Sequence, residues 1–190
     1  MKTIKKIVSV TLVVVILASF LILASSCGSD KYTVGICQLV THDALDAATE
    51  GFEQALIDIL GEDAVDFDYQ NAANDSNVCS TIVNSFVSKN VDLIMANATA
   101  SLQAATSATT TIPILGTSIT EYGTALSISD FNGTVGGNVS GTSDLAPLSE
   151  QVDMLLEIFP DVETVGILYC SAEPNSEYQV RVIEEDLQSR

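Results

Sequence analysis

The side chains of this 190-residue sequence that could do chemistry are hydroxyls, amides and carboxylates. His42 is the single histidine, so a hydrolytic triad would have to be built around it. No serine stands out as its partner, and the patterns G-x-S-x-G, G-x-x-x-x-G-K-[ST] and G-x-G-x-x-G do not occur. We therefore expect His42 to cap a helix or contact a ligand rather than transfer protons.

Four polar loops follow predicted strands, at residues 38–43, 97–103, 116–123 and 170–176. In a parallel sheet such loops meet at one edge and run into helix N-termini. Their hydroxyls, amides and free backbone N–H groups suit a small zwitterionic or anionic ligand. The plainer alternative is that Thr41, Thr99 and Ser176 only cap helices, and the sequence leaves both interpretations open.

The four cysteines are expected to have different roles. Cys27 follows the small residues ASS and is expected to carry a lipid. Cys37 and Cys170 end the apolar runs TVGIC and TVGILYC, which predicts buried thiols. With Cys79 the remaining count is odd, there is no C-x-x-C pair, and histidine is scarce, so we predict neither a metal nor a cofactor.

The N-terminal segment has the pattern of a signal sequence, with basic MKTIKK ahead of an apolar run at residues 7–23. The residues before Cys27 resemble a bacterial lipobox. We expect residues 1–26 to be a signal peptide and residues 27–31 a lipidated tether, which places the chain outside the cytoplasm, anchored at the outer face of the cytoplasmic membrane. The alternative is an uncleaved anchor, because the run is at the short end of a membrane-spanning helix.

The charge balance excludes one class of partner. Seven Lys and Arg stand against 25 Asp and Glu, for a formal net charge of −18. Because a nucleic-acid-binding protein needs clustered basic side chains to displace phosphate counterions, we expect no nucleic-acid partner.

Apolar patterning predicts alternating strands and helices in the first part of the chain. Strands are predicted at residues 32–39, 65–69, 91–96 and 112–116, with a weak one at 125–128. Helices are predicted at residues 44–60, 76–89 (capped by Ser76 or Asn77) and 101–109. Alternation at this spacing predicts an α/β fold, with a parallel sheet that has helices on both faces.

The later part of the chain has too few elements for a sheet of its own. Residues 117–143 are rich in Gly, Ser, Thr and Asn, and we interpret them as a crossing between two lobes. A helix at 145–159, a strand at 163–170 and a helix at 174–187 follow. We expect residues 32–143 to form a first lobe with the crossing, and residues 144–190 to begin a truncated second lobe, since one strand makes no sheet. The alternative is a complete single domain with an added C-terminal βα unit.

Several segments in order resemble the tryptophan/tyrosine-type substrate-binding lipoproteins of ABC transporters. The segments include VGICQLVTHDALDAATEGFEQAL, DYQNAANDSN, VDLIMANATASLQAA, IPILGTSIT, GGNVSGTSD and TVGILYCSAEPNSEYQV. The resemblance implies a type I periplasmic binding protein-like fold, with two α/β lobes and a ligand in the cleft between them. It also implies an amino-acid ligand, often aromatic, delivered to an ABC permease and its ATPase, and no catalysis.

The resemblance also implies ligand-binding positions. They are Gln38, Thr41, His42, Thr99, Thr117, Ser118, Thr120, Thr142, Ser143, Asp144, Glu173, Asn175 and Ser176. A ligand carboxylate would meet helix N-terminal N–H groups and Thr99, and an ammonium group would meet Asp144 or Glu173. The sequence departs from the family at Ala100, where proline is common, and at Glu121-Tyr122, where Asp-Pro is common.

Two other functions stay open from the sequence. A cell-surface α/β hydrolase would need carboxylate or metal chemistry, because the single histidine supplies no catalytic set. A ligand-sensing module would use the same fold without transport. Turnover of generic ester or phosphate substrates would distinguish the hydrolase from a receptor. A neighbouring permease gene would distinguish transport from sensing.

Overall fold

The computed structural model of the chain describes residues 31–190, which contain one parallel sheet. Its strands are β1 (Tyr32–Gln38), β2 (Val65–Asn71), β3 (Leu93–Asn97), β4 (Ile114–Ile119) and β5 (Val139–Ser143). They lie in the order β2-β1-β3-β4-β5, and every neighbouring pair is parallel. The predicted α/β fold with a parallel sheet is confirmed.

Helices connect the strands and extend the chain beyond the sheet. They are α1 (Asp43–Leu60), α2 (Ser76–Lys89), α3 (Thr99–Ala108), α4 (Tyr122–Ala125), α5 (Leu148–Ile158) and α6 (Pro174–Ser189). Within residues 31–190, none of the helices is long and apolar enough to cross a membrane. The predicted signal peptide and Cys27 lie outside the described residues.

The sheet is covered on both faces, as a parallel sheet requires. On one face, Phe52 and Leu56 of α1 pack against a buried cluster that includes Val34 and Met95. On the other face, α2 and α3 form the larger core, in which Phe86 is the biggest of the fully buried side chains. Successive strand residues point to opposite faces, so each strand contributes to both layers.

The helix boundaries follow local capping chemistry. Helix α2 begins after Asp75, whose carboxylate accepts a hydrogen bond from the N–H of Asn77 at 2.8 Å. The cap therefore lies just before the two residues that the sequence suggested. At its other end, Asn90 takes the left-handed conformation (φ 54°) that commonly terminates helices.

The weak strand predicted at residues 125–128 is wrong, because this segment closes helix α4. Glu121 accepts hydrogen bonds from the N–H groups of Gly123 and Thr124, which starts a helix instead of a strand. The N–H of Ile128 then bonds the carbonyl of Gly123 at 2.8 Å and turns the chain.

Strand β5 lies within the polar stretch that the sequence suggested only as a crossing. Its sequence, VSGTS, is largely exposed, so it lacks the apolar pattern of a strand. Pairing with β4 makes it a strand: Val139 lies opposite Ile114, and Gly141 opposite Gly116. The segment therefore continues the sheet at its edge.

The strand predicted at residues 163–170 is absent from the described structure, where these residues have no regular secondary structure. A strand needs a partner, and the described part of the chain places none beside it. Leu168 is fully exposed, and Cys170 is exposed as well, which corrects the prediction that its thiol is buried.

Candidate functional site

Three adjacent strands end in a carboxamide side chain at the same edge of the sheet. Gln38 ends β1, Asn71 ends β2 and Asn97 ends β3, and Gln38 is the register partner of both other residues. The carboxyl ends of parallel strands are where α/β proteins bind ligands. This edge, with the loops that follow it, is called the carboxyl edge below.

A buried hydrogen-bond network lies directly under the carboxyl edge. Thr49 of α1 donates to Oε1 of Gln38 at 2.7 Å, and Nδ2 of Asn97 donates to Oγ1 of Thr49 at 3.0 Å and to the carbonyl of Leu45 at 2.8 Å. Nε2 of Gln38 bonds the Asp46 carboxylate and the carbonyl of Val40. Gln38 is fully buried, so here its amide fixes the first loop against α1. Oδ1 of Asn97 is buried without a partner in the described structure.

The first loop of the carboxyl edge presents Thr41 and His42 to solvent. Nδ1 of His42 accepts a hydrogen bond from the N–H of Ala44 at 3.2 Å, so His42 is the N-cap of α1 and the expected capping role is confirmed. Oγ1 of Thr41 accepts a hydrogen bond from Nδ2 of Asn71 at 3.3 Å. Thr41 thus links two loops instead of capping a helix.

The N-terminus of α3 has no side-chain cap. Ala98 occupies the N-cap position with a φ of 87°, which is unusual for a residue that carries a Cβ. Thr99, the first helical residue, is buried, and the first turn contains no acidic side chain. Uncapped N–H groups at the positive end of a helix dipole favour an anion such as a carboxylate.

Strand β4 is irregular beside this helix end. Thr117 is the register partner of Asn97, and its carbonyl accepts a hydrogen bond from the N–H of Ala98 at 3.0 Å. The pairing with β5 then shifts register between Gly116 and Ile119, and Ser118 has a φ of 55°. Bulges and left-handed non-glycine residues concentrate where a side chain is re-aimed at a functional site.

Glu121 and Tyr122, where the sequence departs from the family pattern, stabilise the end of this region. Burial pushes the pKa of Glu121 upward, but hydrogen bonds from Thr124 and from the N–H of Gly123 outweigh it and hold the pKa below its usual value. The single O–H of Tyr122 is shared between two carbonyl acceptors, that of Gly116 at 3.0 Å and that of Thr142 at 3.2 Å. Burial, and then the charge of Asp144, raise the pKa of Tyr122 to about 12.

Strand β5 ends in the exposed Thr142 and Ser143, and the exposed Asp144 follows it. Oγ of Ser143 donates to the carbonyl of Thr120 at 2.8 Å, and the N–H of Asp144 donates to the carbonyl of Ile119 at 3.1 Å. The Ser143 side chain and the Asp144 N–H therefore hold this segment against the end of β4 and the residue after it, while Asp144 itself stays exposed at the carboxyl edge.

Glu173, Asn175 and Ser176 lie at the start of α6. Oγ of Ser176 donates to the Glu173 carboxylate at 3.4 Å, so this contact lies within the first turn of the helix. The start of α6 lines a cavity of about 340 Å³ that it shares with Thr124 of α4. The hydrogen bond between Ser176 and Glu173, and the one that the carbonyl of Asn175 accepts from Gln179, both lie within α6 and its N-cap.

The structure therefore gathers most of the predicted positions at one edge, while Glu173, Asn175 and Ser176 lie at the start of α6, which packs against α4. The predicted binding positions did not include Asn71, Asn97 or Tyr122. The first two had a readable signal, since each is an amide that ends a strand next to another such strand. Tyr122 was noted only as a departure from the family, and its role was not predictable because it depends on a carbonyl 20 residues away. Within residues 31–190, no group of three or more His, Cys, Asp or Glu could hold a metal ion.

A parallel sheet covered on both faces, with polar loops and open helix ends at its carboxyl edge, is the architecture of a ligand-binding α/β lobe. The family description "ABC transporter substrate binding protein" matches residues 33–189. The chain belongs to this family.

Relatives of known identity include a tyrosine-binding protein of Clostridioides difficile, 40% identical over 149 residues, which cover 77% of this chain and 43% of that protein. An ABC domain from Streptococcus pneumonia, solved in complex with L-Trp, is 30% identical with a TM-score of 0.77. A ligand-free, open substrate-binding protein from Clostridium difficile is 40% identical with a TM-score of 0.66. Each solved structure matches 84% of this chain, and the chain spans about half the length of each, 54%.

Proposed function

We propose that the chain captures an amino acid, of the aromatic class, at the carboxyl edge of its sheet and serves as the solute-binding component of an ABC importer. Membership of the substrate-binding family supports the receptor role. Relatives named for binding tyrosine, or solved with L-Trp, support the ligand class. The observation that carries the proposal is the uncapped N-terminus of α3 beside the bulge at Ser118.

The ligand carboxylate binds at this helix end. The N–H groups of the first turn of α3 have no side-chain acceptor, and the Thr99 hydroxyl lies at the same position. Asn97, the last residue of β3, pairs with Thr117 of β4, and the N–H of Ala98 bonds the carbonyl of Thr117, so the helix end and the bulge are fixed relative to each other. A pre-organised anion site loses little free energy in ordering when the ligand arrives.

The ligand ammonium group binds near Asp144. Its backbone is tied to Ile119, and its charge is close enough to raise the pKa of Tyr122. Glu173 at the start of α6 is the second candidate for this role, since the resemblance of the sequence points to both. Because a charge removed from water must be paired, one of these carboxylates is needed for an amine-bearing ligand.

Residues 32–143 form the first lobe with its crossing strand, and residues 144–190 begin a second lobe that would close over the ligand. In support, the segment between α5 and α6 exposes Val165, Leu168 and Tyr169. A cavity of about 500 Å³ lies beside it. Its lining combines apolar side chains such as Leu156, Ile167 and Val180 with the polar Glu163, Glu184, Gln188 and Arg190. Apolar surface of this kind is suited to the further strands of a second sheet.

Delivery follows capture. A lipid on Cys27 would hold the receptor at the outer face of the cytoplasmic membrane, where an ABC permease and its ATPase accept the solute. The family, whose members act outside the cytoplasm, supports this location. Mass spectrometry of the membrane fraction tests the anchor directly, since Cys27→Ser should release the chain from the membrane.

Thermal unfolding against a panel of amino acids and nucleosides tests the receptor role. A ligand at a hundredfold its dissociation constant stabilises the folded state by about 2.7 kcal/mol. Asp144→Ala should weaken binding of an amine-bearing ligand about tenfold or more while leaving the unligated Tm unchanged. Asp161→Ala is the matched control, since Asp161 is an exposed aspartate in a turn.

Two results would contradict the proposal. If Asp144→Ala and Asp161→Ala bound the amine-bearing ligand with equal affinity, Asp144 would not be part of the site. A cooperative transition that no compound in the panel shifts would remove the amino-acid ligand altogether.

A further inference from the structure

Two thiols meet in the core on the face of the sheet opposite α1. Cys37 comes from the end of β1 and Cys79 from the start of α2, and both are fully buried. Sγ of Cys37 donates to Oγ of Ser101 at 3.5 Å, and Sγ of Cys79 lies 3.6 Å from the same oxygen. One buried hydroxyl on α3 therefore joins two cysteines from different elements.

The two thiols differ in acidity because they interact with each other. The interaction with Cys37, together with the Ser101 hydroxyl, lowers the pKa of Cys79 to about 7 even though burial opposes it. The interaction with Cys79, and then burial, raise the pKa of Cys37. A thiol buried alone in apolar surroundings has a raised pKa, so Cys79 is not an ordinary core cysteine.

We propose that Cys37 and Cys79 are a redox-active pair that closes to a buried disulfide linking β1 to α2. The oxidant is a small-molecule disulfide. The Cys79 thiolate attacks one sulfur of this compound and expels a thiolate, which leaves a mixed disulfide on Cys79. Cys37 then gives up its proton and attacks Sγ of Cys79, releasing a second small thiol. Two protein thiols are oxidised, and one small disulfide is reduced to two thiols.

The bond would brace the proposed ligand site. The chain between the two cysteines contains helix α1, strand β2 and the loops that carry Thr41 and Asn71 at the carboxyl edge. Closing such a loop restricts the unfolded chain and so stabilises the fold. Because both thiols are buried, the oxidant reaches them during folding or when α2 opens, and we expect slow pairing in the folded protein.

The test uses the full chain with Cys27→Ser and Cys170→Ser, which leaves Cys37 and Cys79 as the only two of its four cysteines. The protein is refolded with oxidised glutathione, alkylated in denaturant and weighed intact. We expect a product lighter by two hydrogens, without alkylation or glutathione. Its Tm should lie about 5–10 °C above that of the same protein after reduction.

The matched controls are Cys37→Ala and Cys79→Ala in this background. Each should take up one glutathione or one alkyl group, and reduction should not lower its Tm by the amount seen in the two-cysteine protein. Three results would overturn the proposal. They are free thiols at both positions after oxidation, glutathione on both cysteines, and a disulfide-linked protein with a lower Tm than the reduced form.

Discussion

The Tyr122 hydroxyl is the contact by which α4 holds strands β4 and β5 together, and its removal is a direct test of how the carboxyl edge is built. It lies 3.0 Å from the carbonyl of Gly116 on β4 and 3.2 Å from the carbonyl of Thr142 on β5. Tyr122→Phe keeps the buried ring and removes only the donor. The ring itself is 7% exposed, so its packing should be unchanged.

The size of the effect follows from the chemistry of one shared donor. A net hydrogen bond contributes about 1 kcal/mol, and a buried carbonyl left without a donor costs more, so Tyr122→Phe should lower the free energy of unfolding by roughly 1–2 kcal/mol. For a domain of this size that is a fall in Tm of roughly 3–6 °C. The matched control is Tyr32→Phe, because Tyr32 is exposed at the start of β1 and should change stability by less than about 0.5 kcal/mol.

Denaturant unfolding and amide hydrogen exchange together provide the assay. Exchange should accelerate in β5 more than in β1. A pH titration gives a second readout. The folded pKa of Tyr122 is raised to about 12, so the stabilisation by its hydroxyl is fully present below the unfolded pKa. It is lost as the pH rises above the unfolded pKa and through the folded pKa of about 12. If Tyr122→Phe were as stable as Tyr32→Phe and amide exchange in β5 were unchanged, the Tyr122 hydroxyl would not hold β4 and β5 together.

Two further predictions concern the same region. Glu121→Gln should cost about 0.5–1 kcal/mol at neutral pH, since Glu121 caps α4 with both carboxylate oxygens. The pKa of Glu121 is lowered in the folded state, so its contribution to the free energy of unfolding is present above the unfolded pKa and is lost as the pH falls through the folded pKa. Urea unfolding should therefore show the stabilities of the wild type and Glu121→Gln converging in acid. A stability difference that does not change with pH would contradict the capping role. Gly141→Ala should lower the free energy of unfolding by about 1–3 kcal/mol. Gly141 has a φ of 156°, and a Cβ built on it would overlap the carbonyl of Gly116 and the Tyr122 hydroxyl. Gly166→Ala, with open space around its Cβ, is the control for calorimetric Tm, and equal values for the two variants would show that β4 and β5 do not pack this closely.

Apolar periodicity predicted the elements whose burial it reflects. Strands β1 and β3 are buried on both faces, and α1 presents one apolar stripe, so their patterns are strong. Strand β5 could not be read this way, because its exposed residues gain strand structure only by pairing with β4. The opposite error arose at residues 163–170, where an apolar pattern predicts a strand but the described chain supplies no partner.

The sheet edge that carries the candidate site could be predicted from the sequence, but the role of each side chain at that edge could not. Strand order places loops at one edge, and polar residues there stand out in the sequence. Whether a side chain faces the ligand or the core depends on the pleat and on helix α1, which buries Gln38 but leaves His42 exposed. The cysteine pair was hidden for the same reason, since Cys37 and Cys79 come together only when β1 and α2 pack beside Ser101.

The proposed binding site for the amino acid is where the uncapped end of α3 meets the bulge of β4. NMR titration of the isotope-labelled chain with L-tryptophan and L-tyrosine tests it most directly, because it locates even weak binding. We predict chemical-shift changes concentrated at the amides of Thr99, Ala100, Ser118 and Asp144, with little change at the opposite end of the sheet. Chemical-shift changes centred elsewhere, or no changes at millimolar ligand, would show that the amino acid does not bind at this site.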